Sequence, residues 1–501
     1  MNKAFKTVGF MFVMILLSKV MGQAREMIIA AVYGTTDAAN AFYAASTLPL
    51  NLFDIVFASA VSSAFIPIYN TYIEKNGNAE GDRFASAFIN MTAVLSLFVS
   101  IILMVFASPM MSVFAGGLYG AARETAVRLA VIMMPVILFA SLTFSCVGIL
   151  QSKDEFNIPA VISLVSNGAV IIYLLFFNKK FGIDGLAFSL LLGWALQFAV
   201  QLPAMKKVGF HYTPKIFYHE GLKDVVKLAI PVLAGPWIQP ISNIINNAFA
   251  TGFEGGISAM NYASKLYLIV STVFTVSVTN YVFPKLSKQS ASSEENGYKE
   301  TMKTSVKVIL LVLVPVCALM TALHKPVIEI IYMRGEFDSE ALRLTSGAFM
   351  YYSFGIVFYG VLDLFNKAFY AKKNSIVPAV TAVCAILLNF VFSFVLKQVM
   401  GLFGLALTSS LVYAFMAVTL FTILNRQEHF FGKSEVLFTL KLVIFGIIAY
   451  LASAFGYSFM NFGGGTFINI IRTGLSGVLG FLIYGILVYL VLGKELLSGK
   501  N

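Results

Sequence analysis

The chain has 501 residues, 58% of them hydrophobic and only 12% charged, with a mean hydropathy of +0.83. Soluble domains carry about a quarter charged residues, so this composition excludes a water-soluble enzyme and points to an all-α polytopic membrane protein. The net charge of +11 needs no nucleic acid, because cationic cytoplasmic loops give such an excess and sit well against anionic lipid.

Apolar runs separated by polar punctuation predict fourteen spans of about 20 residues or more. Their limits are 5–32, 38–72, 84–113, 122–150, 156–178, 183–205, 223–252, 257–286, 301–323, 341–371, 375–397, 402–425, 436–460 and 468–493. A β-barrel would show alternating segments of about ten residues instead. The connections are short, the longest polar ones being 73–84, 206–223 and 285–300, and none leaves room for a soluble domain.

The first span, FMFVMILLSKVMGQAREMIIAAVYG, places Lys19, Arg25 and Glu26 around Gly22. These charges, and the lack of a small-residue cleavage site after a short apolar core, argue against a cleaved signal peptide. On a 3.6-residue helix Ser18, Gly22 and Arg25 share one side, with Lys19 and Glu26 beside them. Charges at that depth are costly unless they face a polar interior, and so mark a functional site by default. A large anionic substrate would suit them.

Later spans add fewer polar positions. Asp54 lies in the second, and Pro231, Pro236 and Pro240 predict a bent seventh. Lys265 sits about nine residues into the eighth, too deep to snorkel easily, and is assigned to a cavity. Asp363 and Lys367 in the tenth read as a structural i,i+4 pair.

The sequence repeats itself. IPAV at 158–161 returns as VPAV at 377–380, GIDGLAFS at 182–189 as GLFGLALT at 401–408, and YAA at 43–45 as YAS at 262–264. All three pairs are 219 residues apart. An offset covering six spans preserves topology, which predicts parallel halves related by a pseudo-twofold axis along the membrane normal. The expected lobes are 1–207 and 221–427, with two additional helices in 434–501. Lys265 is equivalent to Ser46, so the repeat predicts that Lys19 and Arg25 face Lys265 across that axis, where such transporters bind substrate at the midplane.

Lysine and arginine crowd alternate connections, for example Lys206, Lys207, Lys215, Lys285 and Lys288, while the opposite side holds Arg123, Lys179, Lys180, Lys325, Arg334 and Lys397. The positive-inside rule then predicts that both termini are cytoplasmic. Cys146, Cys317 and Cys384 form no CxxC pair and read as buried free thiols. The four histidines lack metal-ligand spacing, and no GxxxxGK[ST] loop offers a nucleotide site.

Six stretches carry a family resemblance: SKVMGQARE (18–26), NAFYAASTLP (40–49), SSAFIPIY (62–69), NYASKLY (261–267), MRGEF (333–337) and NKAFYAKKNSIVP (366–378). In this order they resemble the MurJ (MviN) lipid II flippases of the multidrug/oligosaccharidyl-lipid/polysaccharide exporter superfamily. The resemblance implies two six-helix lobes, two C-terminal helices lining a lipid groove, and a cationic cavity that moves a lipid-linked saccharide pyrophosphate by alternating access. It also implies a transporter, not an enzyme, in the bacterial cytoplasmic membrane, with membrane lipids as its other partners and no cofactor. A monomer is expected.

Position by position, Arg25 matches the family's essential arginine, Glu26 stands for its aspartate, and Lys19 and Lys265 stand for arginines. Asn40 replaces an aspartate, and Phe53-Asp54 replaces an arginine pair. Asn389 matches an asparagine of the family's sodium site, whose aspartates appear here as Ser393 and Asn246. The candidate substrate-binding set is therefore Ser18, Lys19, Arg25, Glu26, Asn40, Asp54 and Lys265, and the candidate ion-binding set is Asn246, Asn389 and Ser393. Without a carboxylate the latter predicts weak sodium dependence, with the membrane potential as the drive. Lipid II is the expected substrate. The alternatives are another undecaprenyl-linked glycan of capsule or teichoic type, or a small molecule, as in the drug antiporters of the superfamily. Those antiporters usually have about twelve spans, so the additional pair at 436–493 speaks against them.

Overall fold

Backbone groups in lipid must be bonded within their own segment, which leaves a chain this apolar little choice but helix. The computed structural model describes residues 3–52, 57–58, 60–233, 238–292, 294–460 and 465–497, and all regular structure among them is helical. Two compact units result, Met1–Ser258 and Ala259–Asn501.

The first unit begins with α1 (Lys3–Tyr33) and α2 (Asp37–Ser46), which continues as a π-helical turn over Thr47–Leu52. A second π turn, Val61–Phe65, leads into α3 (Ile66–Asn76), followed by α4 (Asn78–Val105), α5 (Ala107–Phe114), α6 (Gly120–Met133) and α7 (Val136–Ser152). Pro135, which has no N–H to give, separates α6 from α7, and the two together form one apolar stretch, Gly120–Ser152, where the span 122–150 is expected. α8 (Asn157–Ile172) and α9 (Asn178–Lys207) are joined by a π turn over Tyr173–Phe177. The chain reverses at Gly182 (φ 55°, ψ −146°), and α9 packs back on α8. α10 (Gly221–Leu233) and α11 (Ile238–Ala250) complete the unit. The bend expected from Pro231, Pro236 and Pro240 centres on 234–237, outside the described residues.

Aromatic rings fill the core of this unit. Phe65 stacks between Tyr69 and Phe84 with ring centres 5.4 and 5.6 Å away, and Phe88 lies 4.5 Å from Phe65. The connection after α9 is pinned to α4. Asn90 Nδ2 donates to the carbonyls of Pro214 (3.2 Å) and Ile216 (2.7 Å). The buried Asp82 accepts from the His211 backbone N–H (2.9 Å) and the Tyr69 hydroxyl (3.0 Å), and pairs with Lys153 (3.3 Å).

In the second unit α12 (Gly256–Ala291), whose first turn belongs to unit one, is followed by α13 (Glu295–Ala322), α14 (His324–Tyr332), α15 (Ser339–Ser353) and α16 (Gly355–Ala371). Then come α17 (Ile376–Met400), α18 (Leu402–Glu428), α19 (Lys433–Phe459) and α20 (Thr466–Leu497). The expected span 341–371 is two helices, α15 and α16, bent by 44°. The last pair is held to the rest by α13, against which both α19 and α20 pack. Glu435 of α19 is buried between Lys303 (2.9 Å) and Lys307 (3.7 Å) of α13. Asp363 and Lys367 pair at 3.1 Å as expected, and Thr279 of α12 donates to the same carboxylate at 2.7 Å. Cys146 is buried as expected, whereas Cys384 is exposed on α17.

The repeat is written into the backbone. Helices begin at Asp37, Gly120, Val136 and Asn157, and again 219 residues on at Gly256, Ser339, Gly355 and Ile376. The reversal at Gly182 recurs at Gly401 (φ 60°, ψ −136°). Asp154 (φ 59°) and Lys373 (φ 57°), the same distance apart, are left-handed residues that stop α7 and α16. Each stop is a Schellman motif: Glu155 N–H bonds the Leu150 carbonyl (2.8 Å), and Asn374 N–H the Phe369 carbonyl (3.0 Å). The division by packing falls after Ser258 rather than in the 207–221 connection, because α10 and α11 pack on α3, α4, α5 and the π turns at Thr47–Leu52 and Val61–Phe65.

Among the described residues nine helical stretches are long and apolar enough to cross a membrane, or ten if the bent α15–α16 pair counts as one span. One of the nine is the whole 157–207 stretch, which the Gly182 reversal divides in two. This is the polytopic all-helical architecture that the composition implied.

Candidate functional site

The polar face of α1 opens on a cavity of about 460 Å³ lined also by α7 and α8. Met11, Ile15, Ser18, Lys19, Gly22 and Arg25 supply the α1 wall, following the helical spacing, and Gln151, Phe156, Pro159, Ala160, Ser163 and Asn167 supply the rest. Away from it, Val13, Leu16, Leu17 and Val20 are exposed, as lipid-facing side chains would be.

Arg25 is the best-anchored group there. Its Nη2 and Nε donate to Glu26 Oε1 at 2.7 and 3.3 Å, and its Nη1 donates to Asn167 Oδ1 at 2.9 Å. A guanidinium has five N–H groups in a rigid fork, so two remain for a ligand. Its side chain is 22% exposed, whereas that of Glu26 is 3% exposed. Glu26 points inward, where it also accepts from the Tyr43 hydroxyl at 2.7 Å. Glu26 therefore holds and partly neutralises Arg25 without itself lining the cavity, and the half-buried Lys19 supplies additional positive charge.

Asn167 was not anticipated from the sequence. Its side chain joins α8 to α1 twice, through Arg25 and through Nδ2 to the Ser18 carbonyl (3.4 Å). A polar residue in an apolar run has no signature until its partner is known. Removing it should loosen Arg25 but leave its charge. Asn167→Ala is expected to lower transport by about tenfold, the worth of one hydrogen bond to a charged group, with membrane abundance unchanged. Wild-type transport by that variant in a vesicle flipping assay would show that the anchor is dispensable.

The other candidates are distributed as follows. Ser18 lines the cavity with its hydroxyl unbonded among the described residues. Asn40 is buried, its side-chain oxygen accepting from Ser258 N–H (3.0 Å) and the Ser258 hydroxyl (2.9 Å). That makes it a tie between α2 and the first turn of α12. Asp54 lies outside the described residues. Lys265 is half-buried on α12 in the second unit. Asn246 is buried on α11 of the first unit, whereas Asn389 and Ser393 are fully buried on α17 of the second. Neither amide atom of Asn389 has a hydrogen-bond partner among the described residues. Its oxygen could ligate a cation, but Asn389, Ser393 and Asn246 bring no carboxylate, so they do not make the charged oxygen cage a hard cation prefers.

Comparisons with known proteins agree on the kind of protein this is. The family model described as "Lipid II flippase MurJ" matches residues 29–472. The chain is 28% identical to the probable lipid II flippase MurJ of Rhizobium tropici, covering 95% of this chain and 92% of that protein. It is 27% identical to the lipid II flippase MurJ of Burkholderia cenocepacia over 82% of each chain. A solved structure titled "Lipid II flippase MurJ, inward closed conformation" superposes with a TM-score of 0.83 at 25% identity, covering 97% of this chain and 99% of that one. An inward-facing multidrug resistance MATE transporter of the MOP superfamily shares the fold alone, with a TM-score of 0.66 at 15% identity over 82% of this chain and 98% of that one. The chain belongs to the MurJ lipid II flippase family, whose members are transporters and not enzymes.

Proposed function

We propose that this protein carries lipid II from the inner to the outer leaflet of the bacterial cytoplasmic membrane by alternating access, with both termini in the cytoplasm. The observation that carries the reading is the cavity on α1, where Lys19 and the anchored Arg25 supply positive charge deep within an apolar helix. A ligand with concentrated negative charge suits cations kept at that depth. The pyrophosphate of a lipid-linked saccharide has it, and the arginine fork suits phosphate oxygens in a way that an ammonium alone does not.

Lys265, on α12 of the second unit, is a further substrate-binding cation in this reading, and Ser18 lines the α1 cavity. The isoprenoid tail stays in lipid, against the apolar faces of α19 and α20. The protein works as a monomer. The electrical potential drives the cycle: each elementary charge carried across 100 mV is worth about 2.3 kcal/mol, and the cationic wall of α1 is the charge that moves.

Expression in a strain depleted of its own lipid II flippase tests the reading. Growth and cell shape should be restored. Failure of rescue by protein present in the membrane, together with restored transport in a strain lacking a capsule or teichoic-type flippase, would assign the other glycan.

A further inference from the structure

The second unit has another charged cavity, remote in sequence from α1. About 310 Å³ in volume, it lies where the end of α14, the end of α19 and the start of α20 meet. Two opposite charges line it, Arg472 and Glu329, both half-buried.

Arg472 is fixed in place. Its Nε donates to the Tyr457 carbonyl at 2.6 Å, and its guanidinium carbon lies 3.9 Å from the centre of the Tyr457 ring. The hydroxyl of Tyr457 donates in turn to Asn469 Oδ1 at 2.8 Å. The terminal nitrogens of Arg472 have no partner among the described residues, and neither does the carboxylate of Glu329. The two do not pair with each other, although both face one cavity. A guanidinium and a carboxylate that line one cavity without pairing fit a ligand bearing the complementary pair, an anion for Arg472 and a primary ammonium for Glu329.

The outer faces of the same helices identify the rest of that ligand. Phe459 on α19 and Phe467, Ile470 and Ile471 on α20 are 86%, 74%, 46% and 42% exposed, and helical spacing turns those of α20 away from the cavity-lining positions. A polar pocket between helices whose outer faces are apolar suits an amphiphile, whose chains lie along those faces while its headgroup fills the pocket. We propose that this cavity binds the headgroup of a phosphoethanolamine lipid, with the phosphate on Arg472 and Asn469 and the ammonium on Glu329. The α14–α20 junction thus holds a structural lipid at a site separate from the one on α1.

Native mass spectrometry of the purified full-length protein, titrated with phosphatidylethanolamine, phosphatidylglycerol and phosphatidylcholine of matched chains, tests this without measuring transport. The ethanolamine lipid should bind about tenfold more tightly than the other two, as expected for one charged hydrogen bond. Glu329→Gln, nearly isosteric and easily accommodated, should abolish that preference while phosphate binding persists. Arg472→Gln should weaken all three. Equal occupancy by ethanolamine and glycerol lipids in the wild type, or a preference that survives Glu329→Gln, would overturn the assignment. Neither result bears on growth rescue, so the flippase reading and this one can fail separately.

Discussion

Replacing Arg25 by alanine should abolish rescue of a flippase-depleted strain, the largest effect expected from any single change in this chain. Two costs combine in that variant. The substrate loses the arginine fork, and Glu26, 2% exposed, loses the cation at 2.7 Å. Removing one member of a buried ion pair costs about 3–5 kcal/mol, enough to threaten folding. The double variant Arg25→Ala/Glu26→Gln separates the two, because a neutral amide at position 26 needs no counter-charge and can still accept from Tyr43. It should reach the membrane at wild-type abundance, unfold at a temperature near that of the parent, and remain inactive. Growth rescue by the double variant would mean that Arg25 serves only to neutralise Glu26, and the binding argument would collapse.

Collapsing the membrane potential should slow lipid II flipping in vesicles far more than replacing sodium does. The two effects can be ranked from the residues themselves. Within α1 itself the cations Lys19 and Arg25 outnumber the one acidic residue, Glu26, so the helix carries a net positive charge that the field can move, worth about 2.3 kcal/mol per 100 mV. Translated into rate, that sets a ceiling of about fiftyfold. The ion-binding candidates have no charge to offer: Asn389 and Ser393 are buried on α17 without a carboxylate of their own. Exchange of sodium for potassium at constant potential should change the rate by less than about twofold. Strict sodium dependence with the potential held constant would refute this ranking.

Some of this architecture was legible before any coordinates, and the reasons differ by feature. The polar face of α1 could be read because helical spacing alone gathers Ser18, Gly22 and Arg25. The repeat could be read because short motifs survived at one offset, and the helix starts and reversals keep that offset in the backbone. The bend at Phe354 was hidden, since an interrupted helix and a continuous one bury the same apolar residues. Partners were hidden too. Asn40 looked like a site residue by position in a pattern, yet its oxygen is taken up by Ser258. Tyr43 and Asn167, which hold Glu26 and Arg25, are separated from them by 17 and 142 residues, and no local pattern announces a contact of the longer kind.

The paired helix stops also bear on handling the protein at the bench. Asp154 and Lys373 each hold a left-handed backbone with a side chain attached, a conformation that costs about 1–2 kcal/mol except in glycine, and that aspartate tolerates better than lysine. Lys373→Gly would relieve this at an unfolded-chain entropy penalty of about 0.4–1 kcal/mol, a net gain on the order of 1 kcal/mol. The position is remote in sequence from Arg25 and from Arg472. A detergent-solubilised preparation carrying that glycine should therefore survive warming and storage longer than the parent, giving a sturdier starting point for crystallisation or reconstitution.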